Sequence, residues 1–158
     1  MIVLRRCLAL WALIFWQGGF LFYASAVVPT AQREIGHFQQ GLITRHVTVW
    51  INNAGALSLA LLAFDAILSP DRRTGRRRLL WSTWFAMTLC QIALFLLHPW
   101  LDALLDAETW SSAPALRRLH RVYLWLHTVQ WGLALVFTPL WLAAWRAHDR
   151  REVPEKNL

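Results

Sequence analysis

The 158-residue chain has little charge and little cysteine, and it lacks the common catalytic signatures. Charged residues make up 16%, against the roughly 25% of a soluble domain, so a water-covered globule is a poor description. Two cysteines cannot build a cross-linked framework, which excludes a small stapled secreted scaffold. No Gly-rich phosphate loop, nucleophile elbow or Cys-x-x-Cys is present, and no catalytic residue can be named. Repeats and low-complexity segments are also missing. Disorder is excluded by the 13% aromatic content, because disordered chains are aromatic-poor and highly charged.

What is abundant is apolar: 57% of residues are hydrophobic and 11 are Trp. One domain of this length has too little interior for them, so the class is multi-pass membrane protein. Four stretches lack Asp, Glu, Lys and Arg: 7–32, 47–64, 79–101 and 122–145. About 20 apolar residues cross the hydrocarbon core. The expected fold is therefore all-α, a four-helix transmembrane bundle in one domain over 1–145, with helices about 7–28, 44–68, 79–100 and 119–145. A polar tail is expected over 146–158. Arg5, Arg6, the apolar run and Ala24-Ser25-Ala26 have the outline of a signal peptide, but the run exceeds an h-region and reads as a retained first helix.

Connections follow from composition. About fifteen residues containing Gly36 and Gly41 are expected to join the first two helices, and Ser69-Pro70-Asp71 is expected to form a tight turn. Leu101, Leu104 and Leu105 share a helical face opposite Asp102 and Asp106, which predicts a short helix lying on the membrane. Ala56 and Ala60, and Ala54 and Ser58, form small-residue faces suited to close helix packing.

Arg5, Arg6, the arginines of 72–78, and Arg146, Arg150, Arg151 and Lys156 fall on one side. The other side has fewer cations, diluted by Glu34, Asp102, Asp106 and Glu108. This places both termini in the cytoplasm of a bacterial inner membrane. Trp11, Trp81, Trp84, Trp141 and Trp145 are expected at that interface, and Asp65 reads as interfacial beside the basic turn. A net charge of +7 could suggest nucleic acid, but the cations are spread over loops and no binding motif accompanies them. Arg72, Arg73, Arg76, Arg77 and Arg78 instead read as a topology signal touching anionic lipid headgroups of the bilayer.

The histidines are uneven: His37, His46, His98, His120 and His127 lie toward the external end, and only His148 lies on the other side. Seven residues separate His46 from Asn53, Gln91 from His98, and His120 from His127. That spacing is nearly two turns, so each pair shares a face about 10 Å apart in depth. Imidazole is a common transition-metal ligand and can hold haem iron axially. The expectation is therefore a transition-metal or haem site with ligands among His46, His98, His120 and His127, supported by Asn53, Gln91 and Gln130. The alternative is a structural subunit, assembled with a membrane partner or as a homo-oligomer, whose intramembrane polar residues are interhelical hydrogen-bond glue.

Trp16-Gln17-Gly18-Gly19, Phe22-Tyr23 and Val27-Val28-Pro29, with the later stretch from Leu119-His120-Arg121 to Gln130-Trp131, resemble a family of small four-helix bacterial membrane proteins. They are superficially similar to the copper-resistance-D-type membrane domain. The resemblance implies a four-helix fold and a metal-related role at the external side. The Met-rich or Cys-rich sets expected for soft copper binding are not in this chain.

Overall fold

A computed structural model describes residues 1–69, 71, 73–106 and 114–152. In chain order they form α1 (Ile2–Phe22), a π-helical turn (Tyr23–Val27), α2 (Val28–Leu68), α3 (Thr74–Asp106) and α4 (Pro114–Glu152). The described residues contain no strand, as expected where lipid leaves backbone groups only partners within their own helix. Three helical runs are long and apolar enough to cross a membrane: Ile2–Leu68, Thr74–Leu104 and Pro114–Arg150. Only 17–28% of each apolar window is buried inside the protein, and Trp11, Phe15, Trp50, Phe85, Leu89, Trp100 and Trp125 face outward. Such a surface is stable against hydrocarbon and not against water.

The first run is not a straight rod. Gly36 has φ 81° and ψ 164°, a conformation that side chains other than glycine's disfavour. There the chain folds back. Arg5 Nε is 2.7 Å from Asp65 Oδ1, Ser58 Oγ donates to the Ala12 carbonyl at 2.8 Å, and Tyr23 Oη lies 2.8 Å from Thr44 Oγ1. On a continuous helix Arg5 and Asp65 would stand about 90 Å apart. The expected fifteen-residue loop is thus replaced by helix on both sides of one glycine, because a single left-handed residue suffices for the reversal.

Two other expectations are corrected. The stretch from Leu101 is no separate surface helix; α3 continues through Pro99 to Asp106. The first part of the segment expected as a polar tail continues α4 to Glu152, where Arg6 Nη1 donates to both Asp149 oxygens (2.8 and 2.9 Å) and its guanidinium lies 4.9 Å over the Trp145 ring. Residues 107–113 and 153–158, and the expected turn residue Pro70 with Arg72, lie outside the described residues.

The Arg6–Asp149 pair also places the two ends of the described chain at one end of the molecule, opposite Gly36. Near the termini, Leu13, Trp16, Leu59, Leu62, Met87, Phe137 and Trp141 pack into one core. A second, smaller core of Leu94, Leu101, Leu116 and Tyr123 joins α3 to α4 nearer the Gly36 end.

Candidate functional site

At the Gly36 end the arm pair α1–α2 and the pair α3–α4 part to enclose a cavity of about 850 Å³. This volume lies within the usual range for small-molecule sites, about 300–1,000 Å³. Its walls are mostly apolar, with Phe20, Val28, Phe38, Ile51, Leu116 and Leu124 among them. The π-helical turn helps to shape it: the widened turn places Tyr23 and Ala24 on the wall, and Ser25 Oγ caps the Leu21 carbonyl at 2.7 Å.

The polar residues of the cavity come from opposite sides. On α2, Gln40, Thr44, Thr48 and Asn52 recur every fourth position and form one inward stripe. Thr44 and Thr48 donate to the carbonyls of Gln40 and Thr44, and Gln40 Nε2 also donates to Thr44 Oγ1. Facing them, His98, His120, Tyr123 and His127 line the cavity from α3 and α4, and His37 lines it from just beyond the Gly36 turn. Arg45 on α2 pairs with Asp102 on α3 at 3.3 Å, tying the two sides together at the rim.

His127 lies between aromatic rings. Phe20 stacks on it at 5.0 Å and 14°, and Tyr123 meets it edge-on at 4.9 Å. The residue is 6% exposed, and none of the hydrogen bonds among the described residues involves its ring nitrogens, which border the cavity. A buried imidazole normally satisfies at least one nitrogen, so this residue is set up for a partner that is not part of the chain. His98 Nε2 is 3.6 Å from Asp102 Oδ2, beyond hydrogen-bond reach, and is likewise buried and unpaired.

Beneath the cavity a polar ladder joins three helices. Asn52 Nδ2 donates to Tyr123 Oη (2.8 Å), Gln91 Nε2 to the Asn52 carbonyl (3.1 Å), and Gln130 Nε2 to Gln91 Oε1 and the Met87 carbonyl (3.0 Å each). The ladder requires close backbones. A Cβ at Gly55 would stand 2.5 Å from Gln91 Oε1 and 2.8 Å from Trp16 Nε1.

Of the residues expected from the sequence, His98, His120 and His127 come together on the cavity, with His120 at its exposed mouth. Gln91 and Gln130 are buried in the ladder. His46 and Asn53 do share a face, but it is the exposed one, so both leave the site. Their place is taken by Asn52, 1% exposed, one residue from the expected position. The signal that finds it is the four-residue recurrence from Gln40 to Asn52. Among the described residues no three His, Cys, Asp or Glu side chains gather as a metal-binding group.

The opposite end holds a polar centre around Asp65, which is fully buried within the protein rather than open to solvent beside the basic turn. Arg5 Nε binds one oxygen at 2.7 Å, while Trp141 Nε1 (2.8 Å) and Trp145 Nε1 (2.6 Å) donate to the other. Arg5 Nη2 also donates to Ser69 Oγ at 2.6 Å. Trp141, expected in an interfacial belt, is 1% exposed because its indole N–H is aimed at this carboxylate. Beside it lies a smaller cavity of about 170 Å³. In the basic turn Arg76 is held by Asp71, while Arg73, Arg77 and Arg78 are exposed.

No family model, curated protein or solved structure matches this chain.

Proposed function

We propose that the chain is a four-span inner-membrane protein, with both termini cytoplasmic, that binds a bulky lipophilic molecule in the cavity at the Gly36 end. The observation carrying this reading is His127: buried, unpaired and lining a large apolar cavity. Polar groups at membrane depth cost free energy unless they find partners, so an intramembrane imidazole without one points to a ligand. The fold-back at Gly36 supports four spans, since it divides the 67-residue run into two arms. The excess of Arg and Lys near the chain ends and in the basic turn supports the orientation, with Arg73, Arg77 and Arg78 meeting anionic headgroups.

The metal form of this reading is haem rather than a bare ion. Zinc-type sites use three or four protein ligands, whereas haem needs one or two axial imidazoles and an apolar box. His127 and His98 are the residues that would hold it, with His120 at the mouth.

The test is to purify the protein in lipid nanodiscs, extract what copurifies, and record the absorption spectrum of wild type and His127→Ala. A lipophilic molecule or a haem band present in wild type and lost in the variant supports the reading. The same content in both proteins overturns it.

A second reading has its own support. The ladder of Asn52, Gln91, Gln130 and Tyr123 joins three helices, as expected of hydrogen-bond glue in a structural subunit. On that reading, ladder substitutions lower stability and nothing is bound.

A further inference from the structure

The cavity's polar groups narrow the kind of molecule it takes, and this step rests on the binding function proposed above. Its ionised groups are already paired: Arg45 with Asp102, and Arg117 with an interaction of its own. Among the described residues that line the cavity no cation stands ready for a phosphate, a carboxylate or the propionates of a haem, and burying an uncompensated anion is costly. The deeper part, formed by Phe20, Thr48, Ile51, Tyr123, Leu124 and His127, carries no side chain that is ionised in its ordinary state.

What this floor offers is unmade hydrogen bonds beside aromatic faces. Tyr123 Oη accepts from Asn52 Nδ2, and none of the hydrogen bonds among the described residues uses its own proton, while the Asn52 Oδ1 acceptor of the same amide is also buried and unpartnered. His127 has no partner, and His98 Nε2 has none. The three rings form a row: His98 packs on Tyr123 at 6.2 Å and Tyr123 on His127 at 4.9 Å. Two imidazoles thus flank a single phenol, a spacing suited to two acceptors on one small ring. The Thr44 and Thr48 hydroxyl protons are spent on their own helix, so at the floor the side-chain donors are Tyr123 and His127 of α4.

A route for an apolar chain is also present. The backbones of α1 and α4 make no extended contact, and at cavity depth they meet through the Phe20–His127 ring pair. On the four-span reading that seam faces the hydrocarbon, so a tail can lie between the helices while the head occupies the floor.

We propose that the cavity binds an uncharged ring dicarbonyl on an apolar chain, of the isoprenoid-quinone class, with its carbonyls on His127 and on Tyr123 or His98. The reduced quinol fits the same groups, because a neutral imidazole accepts as well as donates.

The experiment is calorimetric titration of nanodisc-embedded protein, referenced to empty nanodiscs, with three probes: a short-chain ubiquinone, a tail-matched alkylbenzene without carbonyls, and haemin. The expected result is saturable quinone binding weakened roughly tenfold in His127→Ala, the cost of an unpaired buried hydrogen-bonding group. His127→Gln, which keeps a donor and an acceptor, should recover part of it, and unchanged helical content in both variants separates binding from folding. Equal binding of quinone and alkylbenzene, insensitive to His127, overturns the quinone inference while leaving a lipophile-binding protein. A His127-dependent haemin spectrum that quinone does not displace also overturns it, in favour of haem. If no probe binds above empty nanodiscs, both this inference and the binding function fall.

Discussion

The two ends of the molecule solve the burial of polar groups in opposite ways. At the terminal end Asp65 is fully enclosed, yet both of its oxygens are occupied, one by Arg5 and the other by two indole N–H groups. At the Gly36 end His127 is nearly as buried and its nitrogens enter none of the hydrogen bonds among the described residues, and His98 Nε2 is buried without a partner. At the terminal end the Asp65 oxygens are spent on holding α1, α2 and α4 together, although Arg6 Nε and Nη2 nearby are buried without a hydrogen-bond partner. The other end has left these polar groups unspent around an open volume. Between the two ends Leu13, Leu59, Leu62, Met87 and Phe137 pack as an apolar layer. The difference separates structural polarity from polarity available to a ligand: what counts is whether the group's hydrogen bonds are made within the chain.

The largest effect should come from breaking the closed end. Asp65→Ala leaves the Arg5 guanidinium and the Trp141 and Trp145 N–H groups without their acceptor. Removing one partner of a buried ion pair costs about 3–5 kcal/mol. Unfolding in mixed micelles, followed by helical circular dichroism, should show a loss of that order, and Arg5→Ala should approach it. A loss within about 0.5 kcal/mol, the range of ordinary surface changes, would contradict the assignment of this cluster as the fastening of the bundle.

Next comes Gly55→Ala, which tests the layer between the ends. The added carbon meets the Gln91 amide and the Trp16 indole well inside contact distance, so one of them must move. Overpacking of this kind costs about 1–3 kcal/mol. Because the displaced amide accepts from Gln130, the ladder should loosen together with the packing. Hydrogen exchange at the Gln130 side chain is the readout, and unaltered protection would show that the amide does not move.

The legibility of these features in the sequence follows from the distance over which each is encoded. The apolar spans are local: hydrocarbon thickness fixes their length, and a run without charge announces each one. The cavity histidines were legible in part, because His98, His120 and His127 follow a helical repeat measured from the same end. On α2 the seven-residue step from His46 to Asn53 was self-consistent but followed the lipid-facing side. Rotational phase depends on which face packs, and one residue of error turns the helix by about 100°. The centre at Asp65 was not legible at all. Its partners stand 60, 76 and 80 residues away, and a lone acid near a helix end carries no local mark of them. The reversal at Gly36 was hidden for a related reason: glycine permits a left-handed residue but does not demand one.

Single ladder bonds should matter less than either change above. Gln130→Ala and Gln91→Ala each remove interhelical hydrogen bonds of a kind that averages about 0.6 kcal/mol in membranes and reaches about 1.7. Each bond joins two of the helices around the cavity floor, so a double-mutant cycle on Gln91 and Gln130 should return a favourable coupling of that size. Zero coupling would mean that the two amides do not share the hydrogen bond that joins them at 3.0 Å.

The smallest stability effect is expected where the functional effect is greatest. His127→Phe keeps a flat ring between Phe20 and Tyr123 and removes only the two nitrogens, which bond to nothing among the described residues. Stability without ligand should stay within about 0.5 kcal/mol of wild type. A molecule that binds the folded state stabilises it by mass action, so a saturating quinone should raise the unfolding midpoint of wild type and leave that of the variant unmoved. The two measurements together assign His127 its role. A large loss of stability without ligand would place its nitrogens among the structural contacts, as at Asp65. An undiminished shift with ligand would place the ligand's polar contact elsewhere on the cavity wall. Only a silent change in the empty protein, coupled to a lost response in the loaded one, marks a polar group kept in reserve for binding.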